Sequence, residues 1–214
     1  MRTRWSSLRV SRGNVYWLIQ GRPEEARAMA TTGVLADRVD AFHMRDYLHL
    51  QAHVQIDLYE GAGRAAHERI DRVWPAFQRS LLRRYRPMRI ESLFLRARSA
   101  LAAAVEGGRD RAQLVEIARR TARSLAAEPL PWANVIAAAV RAGAAHLAGE
   151  RDLPGLLDAL EAAAIAADMH LLAHAARYRR GQWCGGNGAD EATTAMRHER
   201  IADPAAVVRL LLPG

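Results

Sequence analysis

At 214 residues, half of them hydrophobic, the chain can bury a substantial core and is too apolar to be disordered throughout. Its net charge is +8 and all 31 basic residues are arginine, so no phosphate loop of the G-x-x-x-x-G-K-[ST] type, kinase nucleotide site or pyridoxal Schiff base can be complete. Cys184 stands alone, which excludes an intrachain disulfide and a cysteine-rich zinc cluster.

Residues 1–13 are arginine-rich and ambiguous, and read as the remnant of a helix; residues 14–214 are expected to form a single helical-repeat domain. Val15, Leu18 and Ile19 lead into a turn at Gly21-Arg22-Pro23. Pro23, Glu24 and Glu25 then suit a helix N-terminus, where proline gives up no needed N–H and carboxylates meet the positive end of the dipole. That helix is expected to reach about Leu35. The next spans His43 to Tyr59 with Tyr47, Leu50, Val54 and Leu58 at helical spacing. After Gly61 and Gly63 its partner carries Ala66, Ile70, Val73 and Trp74, and Pro75 is expected to end or kink it. A short helical linker over Phe77 to Arg86 precedes a helix opened by Pro87, with Ile90, Leu93, Ala97 and Leu101 on its stripe.

Beyond Gly107-Gly108 a helix from Asp110 to Ala127 buries Val115, Ala118, Ala122 and Leu125. Pro129 and Pro131 punctuate its exit. Trp132, Ile136, Ala139 and Val140 line the next helix, up to Gly149. Leu153, Leu156, Leu157 and Leu160 line another, ending near Ala167. Met169 to about Arg180 follows, burying Leu172, Ala173 and Ala176. The loop Gly185-Gly186-Asn187-Gly188 precedes two short helices, the second with Asp203 as N-cap and Pro204 in the first helical position. No segment alternates as a half-buried strand would.

Gly21, Gly61 and Gly107 are each followed five residues later by an alanine (Ala26, Ala66, Ala112), and the spacing of these turns to a fourth at Gly149 is near-regular. Recurrence of this kind predicts stacked helical hairpins, an all-α architecture that presents surface.

The stretch Leu58-Tyr-Glu-Gly61-Ala-Gly-Arg-Ala-Ala66, preceded by Leu18-Ile-Gln-Gly21-Arg-Pro-Glu-Glu-Ala26, resembles the turn of a tetratricopeptide repeat, although the spacing exceeds the typical ~34-residue period and Pro154 replaces the alanine at the fourth turn. Over residues 14–214 the chain is similar to the C-terminal helical region of large multidomain bacterial serine/threonine protein kinases. The similarity is carried by Gln55 to Gly61, Val73 to Leu82, Ile90 to Arg98, Ala195-Met-Arg197, Ile201 to Pro204 and Leu210 to Gly214. The resemblance implies a tetratricopeptide-like right-handed superhelical stack of antiparallel helix pairs. It also implies a regulatory or scaffolding module for signalling without a kinase domain, and a protein partner that is a kinase or ATPase-like region of the same system.

The first helix of each pair is expected to line a protein-binding groove, with Tyr47, His49, Gln51, Glu91 and Asn134 as its positions. His49, His53 and Asp57 fall at four-residue intervals, as do His170 and His174 with Cys184 downstream. Both patterns read as polar helix edges rather than metal sites, and no cofactor is expected. Arg79, Arg83, Arg84, Arg86, Arg89, Arg96 and Arg98, with Tyr85 among them, form the densest basic run. This run reads as a solvated face or a dock for an acidic protein; the alternative is a helical-repeat transcription regulator or nucleic-acid-associated module that uses this arginine-rich face. Trp17, Trp74 and Trp132 read as core anchors. Ser80, Ser92 and Ser124 lack a general base at recognisable spacing, so the chain is expected to be non-catalytic. The N-terminus leads into no apolar run, and Arg141, His146 and Asp168 break the apolar stretches, so a cytoplasmic protein without a membrane partner is expected.

Overall fold

The computed structural model describes residues 14–31 and 42–214, and every regular element among them is helical. The predicted segment 1–13 and the reach toward Leu35 lie outside the described residues. In chain order the helices are α1 (14–19), α2 (Pro23–Thr31), α3 (Met44–Glu60), α4 (Gly63–Arg79), a 3-10 turn (Leu81–Arg84), α5 (Arg86–Val105) and α6 (Arg111–Ala126). They continue with α7 (Pro131–Ala148), α8 (Leu153–Ala166), α9 (His170–Cys184), α10 (Gly188–His198) and α11 (Pro204–Leu211). From α2 to α10 each helix packs against the next.

The turns explain the hairpins. At Gly61 (φ 84°) the chain closes α3 with two backbone bonds, Gly61 N–H to Leu58 O at 3.2 Å and Ala62 N–H to Asp57 O at 2.8 Å. Those bonds satisfy carbonyls the helix end would leave open, and the left-handed φ they need suits a residue without a Cβ. Gly21 and Gly149 repeat the same pair of bonds. The second helices α8 and α10 end in that way too, but with Asp168 (φ 58°) and Arg200 (φ 65°) in the left-handed position.

Ala26 and Ala66 are both fully buried in the fourth position of their helices, as the repeat predicts. Ala112 is exposed. The loop after Gly107 carries extra residues, so α6 starts later, and Leu114, 3% exposed, takes the corresponding place. At Gly63 the fit is tight in another sense: a Cβ there would lie 2.3 Å from the Ala102 carbonyl carbon, so α4 and α5 touch backbone to backbone.

Pro75 does not end α4. The helix continues to Arg79, although proline removes one backbone bond at a typical cost of about 3 kcal/mol. The anchor beyond it is Phe77, 2% exposed, with its ring 5.4 Å from Trp74, 5.9 Å from Phe42 and 6.4 Å from Tyr47. Aromatic burial on this scale offsets much of the lost bond. The predicted linker from Phe77 is therefore the last turn of α4 followed by the 3-10 turn.

Across pairs, α3 touches α5 and α5 touches α7, whereas α7 and α9 make no comparable contact. Helix α11 then packs on the first helices α3, α5 and α9, and also on α10. It starts as the sequence predicts: the Asp203 carboxylate accepts the Ala206 N–H at 2.9 Å and Pro204 fills the first turn. Ala206, Val207, Val208 and Leu210 are buried along its length, and Leu212 just after it. The segment is tied to four first helices by backbone polar groups: Ala202 N–H to Ile19 O (2.9 Å), Arg209 to Tyr59 O (3.1 Å), Arg98 to Leu210 O (2.7 Å) and Arg179 to Leu212 O (2.8 Å). The face expected to be a groove thus carries the chain's own last helix.

Candidate functional site

The face covered by α11, called the inner face below, is built on α3 and α5. Tyr47 is buried, and its hydroxyl donates to the Glu91 carboxylate at 2.8 Å across the two helices. Burial, and next the Glu91 charge, push that hydroxyl far above the ordinary phenol range, so it acts as a fixed donor. One turn along α3, Gln51 shares a cavity of about 220 Å³ with Glu91, Phe94 and Arg98 of α5. Gln55, a further turn on, accepts from the Asn14 amide at 3.0 Å and so joins α1 to α3.

Arg98 is 7% exposed and makes no ion pair among the described residues. One terminal nitrogen donates to Leu210 O, the guanidinium lies 4.2 Å above the Phe94 ring, and Nε is buried without a hydrogen-bond partner. Burial lowers its pKa to about 10, so it remains a cation at neutral pH. Arg179 on α9 is a second case: 5% exposed, stacked 4.9 Å over Trp183, donating to Leu212 O, and lowered by burial to about 10. Both cations meet the carbonyl end of α11, where the helix dipole is negative and carbonyls lack intrahelical partners. That end of α11 thus takes the place of the carboxylates that buried arginines usually require.

Of the predicted groove positions, the structure brings Tyr47, Gln51 and Glu91 together and leaves His49 and Asn134 apart. Residues two apart on a helix point to opposite sides, so His49 cannot share a face with Tyr47 and Gln51. It is 4% exposed, stacked on His53 with ring centroids 6.5 Å apart. Asn134 is exposed on α7, which does not pack on α3.

His49, His53 and Asp57 do share one side of α3, as their spacing predicts. Asp57, however, is held by Arg69 at 2.9 Å, with Arg27 at 3.9 Å. Burial, and then the Arg69 charge, lower the pKa of His53. Downstream, His170 meets Asp168 at 2.7 Å, His174 meets Glu199 at 3.1 Å, and Cys184 is exposed at the end of α9. Among the described residues no group of three or more such side chains is placed to hold a metal ion.

The arginine run from 79 to 98 divides three ways. Arg98 is buried in the inner face. Arg89 grips Glu128 with two nitrogens (2.7 and 2.8 Å), and Arg96 pairs with Asp71 at 3.1 Å while stacking 4.4 Å over Trp74. Arg79, Arg83 and Arg84 are exposed with no ion pair among the described residues, beside exposed Leu81 and Tyr85. The helical period spreads a run that looks continuous in sequence over separate surfaces. Ser80 and Ser124 donate to the carbonyls of Phe77 and Arg120, which keeps their hydroxyls on the backbone.

No helix among the described residues is long and apolar enough to cross a membrane. Comparison with protein-family models, with curated proteins and with solved structures returns no match.

Proposed function

We propose that the chain is a non-catalytic protein–protein interaction or scaffold module, a tetratricopeptide-like right-handed superhelical stack. In this reading it serves as the regulatory or sensor region associated with a bacterial serine/threonine kinase, in the cytoplasm. The observation that carries this reading is the contact between first helices, α3 with α5 and α5 with α7, without comparable packing between α4 and α6 or between α6 and α8. Layers that are closer on one side than on the other make a curved stack, and curved stacks of hairpins recognise partners along their inner side. The open positions there are Gln51 and Glu91, beside the occupied site of α11. The partner is a protein, a kinase or ATPase-like region of the same system.

Calorimetric titration with a bacterial serine/threonine kinase or ATPase-like region tests it. Glu91→Arg should weaken binding by at least about tenfold, roughly 1.4 kcal/mol, while Arg119→Glu on the outer side should not. ATP turnover by the purified chain, or equal binding by both variants, would count against the proposal.

A second reading rests on Arg79, Arg83 and Arg84, which are exposed and unpaired among the described residues, with Tyr85 59% exposed beside them. Such a corner suits a nucleic-acid backbone, with arginine forks on phosphates and a ring for stacking. Gel shifts should then weaken steeply with salt and disappear in Arg83→Glu/Arg84→Glu. Salt-independent or absent shifts remove this reading.

A further inference from the structure

The cavity between α1, α3, α5, α9 and α11 has chemistry that the packing of α11 leaves unused. Its walls include Leu18, Ile19, Phe94, Leu171 and Leu211, contributed by four helices, and Arg98 forms part of the lining. The guanidinium has spare capacity: Nη1 donates to Leu210 O, whereas Nη2 donates to no acceptor among the described residues. A buried cation with an unspent donor in an apolar recess is a site for an anion that brings its own apolar body.

Size and charge narrow the class. About 220 Å³ corresponds to roughly seven waters' share of liquid volume, below the range of nucleotide or drug-sized pockets. At the same cavity Glu91 carries a carboxylate that accepts the Tyr47 hydroxyl. Arg98 is the one cation among the described lining residues, so a second acid group on the ligand would go unmatched beside Glu91, which leaves one acid function as the match. Gln51, on the cavity wall, can donate an amide N–H to the same group.

We infer that this cavity binds a short aliphatic monocarboxylate, its carboxylate on Arg98 and its hydrocarbon chain against the leucine-rich walls. Because the walls come from α1, α3, α5, α9 and α11 together, an occupant joins α11 to the helices beneath it. Binding would stabilise the packed state in proportion to ligand saturation. The inference does not depend on the partner reading, since it concerns the isolated chain.

The test uses the full chain, with isothermal titration and thermal unfolding in sodium hexanoate, hexylammonium chloride and hexan-1-ol at constant ionic strength. The expected result is saturable binding of one hexanoate per chain and a rise in melting temperature that follows saturation. Hexanol should bind at least about tenfold more weakly, and hexylammonium not at all, because only the carboxylate answers the buried cation. Arg98→Met should remove the preference for hexanoate over hexanol. Should that variant fail to fold, Leu171→Trp fills the cavity from its partly buried wall while keeping the Arg98 side chain and should abolish hexanoate binding. Hexanoate binding that does not saturate, that matches hexanol, or that survives Leu171→Trp overturns the inference.

Discussion

Arginine does two different jobs on the two sides of this molecule. On the outer side it joins neighbouring helices through carboxylates in partly solvated pairs: Arg119 with Glu150 at 2.5 Å, Arg64 with Asp110 at 2.9 Å, Arg180 with Asp158 at 2.5 Å. Charges there stay in high dielectric, so each pair contributes little. On the inner side Arg98 and Arg179 are buried and meet backbone carbonyls at the end of α11. In low dielectric that contact is a charge-assisted bond which the fold cannot lose cheaply. A chain with no lysine uses one residue type for both tasks, and only the surroundings distinguish them.

The largest effect should come from attacking the object that the inner arginines hold. Val208 is fully buried on α11, and Val208→Asp places a carboxylate where no partner waits. A loss of about 4 kcal/mol is expected in urea denaturation. An effect under about 1 kcal/mol would mean that α11 is not docked as described.

The contrast between the two sides is sharpened by paired substitutions. Arg98→Ala leaves Leu210 O and the space over Phe94 unfilled and should cost about 2–3 kcal/mol. Arg119→Ala should cost less than about 1 kcal/mol. Equal losses would erase the distinction. Asp203→Ala removes the α11 N-cap bond and should cost about 1 kcal/mol, read as a lower urea midpoint at unchanged slope.

The smallest effect concerns pH. Burial holds the pKa values of His53, His67 and His146 below the ordinary 6.5. The native state therefore keeps them neutral where the unfolded chain takes up protons. Stability is complete above about pH 6.5 and falls as pH drops through the lowered native values. Urea midpoints between pH 7.5 and 5 should decline, and His67→Gln should flatten that decline. A midpoint that rises toward pH 5 contradicts the burial of these rings.

Much of the fold was legible because its signals are local. Left-handed glycines, prolines at helix starts and the Asp203 cap are decided within a few residues, and the hydrophobic stripes locate the helices to within a turn or so. What escaped is decided by distant neighbours. Pro75 lies inside α4 because Phe77, two residues on, is anchored by rings from elsewhere in the chain. The α8 and α10 ends use Asp168 and Arg200, residues with no turn signature strong enough to notice. The site was half legible: the four-residue spacing of Tyr47 and Gln51 was readable, and the same geometry rules out His49 between them. Arg98 was hidden in a run of arginines, since nothing nearby in sequence announces that Leu210 lies over it. The docking of α11 follows from that same long-range contact.

Native-state hydrogen exchange on the α11 amides tests the central claim most directly. A helix of 8 residues has no lasting stability alone, so any protection there comes from its seat on α3, α5 and α9. The account predicts that Val208 and Leu210 amides exchange as slowly as those in the middle of α5. Exchange near the free-peptide rate, with α5 still protected, would contradict it.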